Sequence, residues 1–170
     1  KTALIGQNDI QTTALIRAIM GEIEYEGTVK WGVTTSRSYL PKDNSADFAG
    51  SESILDWLRQ FASKEEDDNT FLRGFLGRML FSGDEVNKPV NVLSGGEKVR
   101  VMLSKLMLLK SNVLVLDDPT NHLDLESISS LNDGLKNFKE SIIFASHDHE
   151  FIQTLANHII VLSKNGVIDR

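Results

Sequence analysis

Two adjacent carboxylates close an apolar strand in the second half of the chain. Residues 113–116 read Val-Leu-Val-Leu, and Asp117 and Asp118 follow directly. A buried parallel strand delivers the residues at its carboxyl end to the crevice where open α/β sheets bind ligands. One carboxylate there can hold Mg²⁺, directly or through water, while its neighbour orients an attacking water for phosphoryl chemistry. The alternative is an ordinary turn that happens to contain two aspartates.

A histidine follows the next apolar strand. Residues 142–145 read Ile-Ile-Phe-Ala, and Ser146, His147 and Asp148 come after them. Parallel strands would bring His147 to the same edge of the sheet as Asp117. A neutral imidazole there can hydrogen-bond a terminal phosphate and the water that attacks it. His149 and His158 lack this placement, and we expect both at the surface.

A third candidate site is the segment Leu-Ser-Gly-Gly-Glu at residues 93–97. Ser94 and Glu97 have the spacing of a capping box, which predicts that Ser94 caps a helix. Gly95 and Gly96 lie directly inside that cap and leave the first backbone amides uncovered by side chains. Bare amides at a helix N-terminus form an anion site, which the helix dipole strengthens. An ordinary capped helix after a glycine turn remains the alternative.

Strand and helix patterns alternate at both ends of the chain, and the middle is mostly helical. Such alternation predicts a parallel sheet with helices on its faces. Residues 34–50 read as a loop and residues 64–68 as a charged turn. Strands are predicted at residues 1–5, 28–31, 113–116, 142–145 and 159–162, and helices at 13–20, 54–62, 71–80, 94–109, 125–138 and 149–156.

Composition excludes several classes of protein. The 170 residues are 41% apolar, which suits one domain with a full core, and carry a net charge of -6, so nothing in the balance attracts nucleic acid or anionic membrane. There is no cysteine, and no apolar stretch is long enough to span a bilayer. We expect a soluble, cytoplasmic domain. A strand at the first residue that runs directly into a glycine loop predicts that earlier strands precede it in a longer protein.

Three motifs, taken in their order along the chain, resemble those of an ATP-binding cassette (ABC) ATPase, and the resemblance covers essentially the whole chain. They are Leu-Ser-Gly-Gly-Glu, Leu-Asp-Asp-Pro-Thr-Asn-His-Leu-Asp and Ser-His-Asp. The Asn-His-Leu-Asp sequence at residues 121–124 resembles the ABC-F group more than transporter ATPases, which usually carry Ser-Ala-Leu-Asp. The resemblance implies an α/β fold: a P-loop NTPase core of mostly parallel sheet flanked by helices, at residues 1–42 and 111–170. A helical subdomain would occupy residues 43–110 and include the signature helix.

The resemblance also implies roles for the residues that match the family's motifs. Asp118 stands at the catalytic-acid position and His147 is the switch histidine. Thr13 and Asp117 would hold Mg²⁺, and Asp124 belongs to the D-loop. The partner's nucleotide would meet the signature, Ser94, Gly95, Gly96 and Glu97, and this domain's own ATP would meet the phosphate loop, Gly6, Gln7, Asn8, Asp9, Ile10, Gln11, Thr12 and Thr13.

The phosphate loop departs from the family pattern Gly-x-x-x-x-Gly-Lys-Thr. Gln11 replaces the second glycine and obstructs the close approach of phosphate to the backbone, and Thr12 replaces the lysine that gives the phosphates a positive charge. Losing one charge-assisted contact costs roughly 1.5–3 kcal/mol, or about 10- to 150-fold in affinity. Asp9 adds a negative charge near the expected phosphate position.

Two further departures lie in the same site. Asp118 is one methylene shorter than the family's usual glutamate, and Lys42 stands where the Q-loop glutamine is expected. We expect Lys42 to be a surface residue, although it could restore some positive charge near the terminal phosphate. Every departure belongs to this domain's own site, whereas its signature is intact. This asymmetry suggests that the domain's own site is weak and that its signature completes a partner's site.

The family implies two such domains in one polypeptide, and we expect this one to be the second; the alternative partner is a homodimer mate. It also implies action on the ribosome and tRNA in translation, with no membrane insertion. Two alternatives remain open: the ATPase subunit of a membrane transporter, and a non-hydrolysing regulatory module that uses the fold only to dimerise.

Overall fold

The computed structural model describes all 170 residues. In chain order its helices and strands are β1 (Thr2–Ile5), α1 (Asp9–Met20), β2 (Arg37–Leu40), α2 (Ile54–Arg59), α3 (Asn69–Arg78), α4 (Gly95–Leu108), β3 (Val113–Asp117), α5 (Leu125–Asn137), β4 (Ser141–Ala145), α6 (His149–Leu155), β5 (His158–Ser163) and β6 (Gly166–Asp169). Single turns of 3₁₀ helix occupy Ser45–Phe48, Gly83–Asn87 and Val90–Val92. No helix is both long enough and apolar enough to cross a lipid bilayer.

The residues form two compact units. The first comprises residues 1–42, 111–119 and 138–170, and the second comprises residues 43–110 and 120–137. The sequence-based division differs at residues 120–137, which it assigned to the core. They group with the helical unit because Ser130 bonds the carbonyl of Arg78 and His122 lies against Gly96. Where the functional boundary lies stays a prediction.

A six-stranded sheet forms the first unit, in the spatial order β2-β3-β4-β1-β5-β6. Neighbouring strands are parallel except for β5 and β6. The predicted α/β fold with a mostly parallel sheet is therefore confirmed. Helix α1 contributes Ile16 to a core with Leu4, Val115 and Ala145, all of them buried. This packing fixes the amino end of α1 beside the carboxyl ends of β1, β3 and β4.

The second unit is helical, and α2, α3 and α4 pack against one another. Trp57, Leu58, Leu72, Leu76 and Leu106 are buried there. Nζ of Lys105 on α4 lies 4.2 Å from the ring centre of Phe61 and 5.5 Å from that of Trp57, so its ammonium packs over both aromatic rings. This packing sets the direction of α4, whose amino end carries the signature.

Three sequence-based assignments are wrong. Residues 28–31 form no strand, because no other strand pairs with them and most of their side chains are exposed. Residues 34–50 are not all loop, since β2 pairs in parallel with β3. The first helix begins at Asp9 and not at residue 13, because the Asn8 side chain caps it. In addition, β6 had no counterpart among the predicted strands.

Candidate functional site

The phosphate loop is closed by its own side chains. Oδ1 of Asn8 accepts a hydrogen bond from the Gln11 amide at 3.1 Å, and Oε1 of Gln11 accepts one from the Gln7 amide at 3.0 Å. Gly6 permits this tight turn, because a Cβ there would lie 3.0 Å from Cγ2 of Thr12. Two backbone amides of the loop are thus already bonded within the protein.

Thr12, at the position of the family's lysine, turns into the fold. Its side chain is 5% exposed, and its hydroxyl donates to the carbonyl of Asp9 at 3.1 Å. Beside α1 lies a cavity of about 580 Å³ lined by Asn8, Asp9, Ile10, Thr13, Ala14, Arg17, Ile23 and Lys42. Of the predicted phosphate-loop residues, four therefore face this cavity, and Thr12 does not.

The predicted magnesium ligands lie together. Oγ1 of Thr13 donates to Oδ1 of Asp117 at 3.1 Å. Asp117 is 2% exposed, and its Oδ2 is buried without a hydrogen-bond partner. Burial raises the pKa of the Asp117 carboxyl, which the hydrogen bond from Thr13 partly offsets. A hydroxyl and a carboxylate with a free lone pair are ligands that suit Mg²⁺, so these two residues fit the ion that the family implies.

A second cluster surrounds Asp9. Nζ of Lys42 lies 2.7 Å from Oδ2 of Asp9 and 3.4 Å from Oδ2 of Asp118, and Nε2 of His147 lies 2.7 Å from Oδ1 of Asp9. The hydrogen bond from Lys42 lowers the pKa of Asp9, and the same bond raises the pKa of Lys42. Lys42 is exposed, as expected of a surface residue, and two carboxylates attract its ammonium.

These contacts set the charges that an ion entering the site would meet. The ligand atoms of Asp9, Asp118 and His147 lie within 4.8 Å of one another, a spacing that would also suit a metal ion, but the Lys42 ammonium already lies against both carboxylates. The site therefore combines the pair that fits Mg²⁺, Thr13 and Asp117, with a neighbouring cluster of two carboxylates around one ammonium.

The signature forms the predicted cap. Ser94 Oγ accepts from the Glu97 amide at 3.3 Å, and Glu97 Oε2 accepts from the Ser94 amide at 2.7 Å, a complete capping box at the start of α4. Burial opposes ionisation of Glu97, yet hydrogen bonds from Lys88 and Ser94 lower its pKa. Ser94 and Gly95 are exposed, and the amides of Gly95 and Gly96 make no hydrogen bond within the protein. This helix start is therefore open to an external anion.

The D-loop, residues 121–124, lies directly against the signature. A Cβ on Gly95 would be 3.3 Å from Cβ of His122, and a Cβ on Gly96 would be 2.7 Å from the His122 carbonyl oxygen. His122 itself has a left-handed backbone, with φ 64°. Asp124 caps α5, because its Oδ1 accepts from the Ser127 amide at 2.8 Å. This bond lowers the pKa of Asp124.

Sequence reasoning missed two residues of this site. His122 had no assigned role, although the glycines of the signature admit its close approach. Lys88 also had none, yet its Nζ lies 2.7 Å from Oε1 of Glu97 and holds that carboxylate in the capping box. A glycine pair beside a capping box is a signal that another backbone comes near. Nothing comparable in the sequence marks Lys88.

Known proteins resemble the chain along its whole length. The family model described as ABC transporter matches residues 1–121. An uncharacterized ABC transporter ATP-binding protein of Bacillus subtilis, YkpA, is 58% identical over 172 residues, which cover 100% of this chain and 32% of that protein. The ABC transporter F family member 2 of Arabidopsis thaliana is 33% identical over 171 residues, covering 99% of this chain and 25% of that protein.

Solved structures share the fold. The complex of the archaeal ribosomal stalk protein aP1 with the archaeal ribosome recycling factor aABCE1 superposes with a TM-score of 0.79 at 22% identity, over 94% of this chain and 31% of that chain. This chain spans a quarter to a third of the length of these relatives. With the capped signature, the acidic strand end and the sheet order on one chain, these matches show that it belongs to the ABC transporter family, as an ABC ATPase domain of the ABC-F type.

Proposed function

We propose that this domain acts in a two-cassette ABC-F protein whose ATP binding and hydrolysis are coupled to the ribosome during translation. The partner is a second ABC domain of the same polypeptide or a homodimer mate, and the location is cytoplasmic. The ABC-F relationship supports the ribosomal assignment, and a protein of the same fold, the archaeal ribosome recycling factor aABCE1, is consistent with it. In this proposal the domain's own site is weak, and its signature serves the partner's nucleotide.

One observation carries the proposal: the two helix starts that would meet nucleotide differ in their first two residues. At the start of α4 these residues are Gly95 and Gly96, so their unbonded amides have no side chain over them. At the start of α1 they are Asp9 and Ile10, and the Asp9 carboxylate lies in that first turn. An anion meets bare amides at the first helix start, whereas at the second it also meets a negative charge.

The signature half of the proposal is tested by the ATPase rate of the full-length protein. Ser94→Arg places a long side chain over the exposed amides of α4, and we expect the rate to fall at least about tenfold, as when one pre-organised donor to a reacting phosphate is lost. Ser129→Arg is the matched control, because Ser129 is exposed on α5 and bonds nothing in the signature. An unchanged rate for Ser94→Arg would contradict the proposal.

The ribosomal half is tested by co-sedimentation. We expect the full-length protein to sediment with ribosomes in a nucleotide-dependent manner, and Ser94→Arg to weaken this dependence while Ser129→Arg leaves it intact. Sedimentation that is absent under every nucleotide condition would refute the coupling to translation and leave the ATPase assignment standing.

A further inference from the structure

Asp9 joins three separate segments of the first unit. It occupies the first turn of α1, whereas Lys42 lies just beyond β2 and His147 just beyond β4. Oδ2 of the carboxylate accepts a hydrogen bond from Lys42 at 2.7 Å, and Oδ1 lies 2.7 Å from Nε2 of His147. The carboxylate thus lies between two basic side chains from different loops, as a bound anion would.

The donors that Asp9 engages are those expected to meet phosphate. His147 stands at the switch position, and Lys42 stands at the Q-loop position, where a cation would attract a terminal phosphate. Arg17, the other basic residue lining the cavity beside α1, pairs with Glu22 at 3.4 Å. Both basic residues that line this cavity therefore already lie against a carboxylate.

Fold stability does not explain this arrangement. The side chain of Asp9 is 50% exposed and that of His147 is 58% exposed, and ion pairs so open to solvent add little to stability. The helix start does not need Asp9 either, because Asn8 already caps α1. The effect of the Asp9 contacts falls on whatever anion would otherwise bind these donors.

We propose that Asp9 is an internal ligand that determines the specificity of this site: its carboxylate takes the contacts of Lys42 and His147 that a nucleotide's terminal phosphate would make, and so excludes nucleotide phosphates. The proposal rests on the proposed function, in which this domain's own site is weak, and it names the residue that causes the weakness. Gln11 and Thr12 replace residues that would bind phosphate, whereas the Asp9 carboxylate occupies the contacts with Lys42 and His147.

The test is calorimetric titration of the purified chain with inorganic tripolyphosphate and with Mg-ATP. We compare the wild type with Asp9→Asn, which keeps the shape and removes the charge, and with Asp9→Ala, which removes both. Glu140→Gln is the matched control, because Glu140 is exposed, the substitution makes the same change in net charge, and Glu140 does not line the cavity. Thermal melts confirm that each variant is folded.

Both Asp9 variants are expected to bind tripolyphosphate at least about tenfold more tightly than the wild type, since the Lys42 ammonium becomes free and one negative charge is lost. Glu140→Gln should stay within about twofold. In a Lys42→Gln background the gain from Asp9→Asn should shrink to less than about threefold, because the donor it frees is gone. Equal gains for Asp9→Asn and Glu140→Gln, or a gain that persists without Lys42, would overturn the proposal. Tight binding of Mg-ATP by the wild type would instead refute the weak site of the proposed function.

Discussion

Gly96 is the point of closest approach between the signature and the D-loop, so Gly96→Ala tests that contact directly. A Cβ on Gly96 would lie 2.7 Å from the carbonyl oxygen of His122. Favourable contacts between heavy atoms lie at about 3.5–4.0 Å. The atom that must move belongs to the backbone, and His122 is already in a left-handed conformation. The helix start and the D-loop must therefore shift apart.

The size of the effect follows from two opposing terms. Inserting a methyl group into a packed contact costs about 1–3 kcal/mol. Replacing glycine by alanine inside a helix returns about 0.5–1 kcal/mol, because the unfolded chain loses conformational freedom. The middle of the two ranges gives a net loss of roughly 1 kcal/mol, which lowers the Tm of a domain of this size by about 2–4 °C.

Scanning calorimetry of the chain measures this change. Gly74→Ala is the matched control: Gly74 lies in α3, and a Cβ there meets nothing within 4 Å. We expect Gly74→Ala to raise Tm slightly, so the two substitutions should have opposite signs. If Gly96→Ala is as stable as the wild type, the close contact with His122 is not present and the reasoning fails.

Two further predictions concern the capping box of α4. Ser94→Ala removes the side-chain cap of α4 and should lower the free energy of unfolding by about 0.5–2 kcal/mol, and Ser53→Ala should do the same at α2. Only Ser94→Ala should slow the ATPase of the full-length protein. Equal slowing by both variants would attribute the effect to stability alone. Glu97→Gln should lower Tm near pH 7 by up to about 2–4 °C, for a loss of up to about 1 kcal/mol. Because hydrogen bonds from Lys88 and Ser94 lower the pKa of Glu97, the wild type's advantage is present above the unfolded pKa of about 4.3 and disappears as pH falls through the folded pKa; melts from pH 7 to 3 that show a constant difference would contradict this.

Local patterns predicted the signature and the strand ends well. Ser94 and Glu97 bond each other within one helical turn, so their spacing alone determines the cap. The apolar run at residues 113–116 likewise predicted β3, since a strand buried on both faces is apolar throughout. Features of this kind depend on residues that are neighbours in the chain, and periodicity is sufficient to recognise them.

Features that depend on distant residues could not be predicted in this way. Lys42 and Asp9 are 33 residues apart, and nothing in the residues around Lys42 indicates a partner carboxylate. Strand β2 is short, and its pairing with β3 stabilises it more than any alternation of its own side chains. The approach of His122 to Gly96 involves a left-handed backbone at His122, a conformation that few non-glycine residues adopt and that no pattern in residues 121–124 indicates.

Titration of the purified chain with Mg-ATP, beside a Gln11→Gly/Thr12→Lys variant, tests the central claim most directly. If the loop's own side chains make this site weak, the wild type should not approach saturation below about 1 mM, and the variant should bind about 10- to 150-fold more tightly because one charge-assisted contact is restored. Micromolar affinity of the wild-type chain for Mg-ATP, unchanged in the variant, would contradict the account.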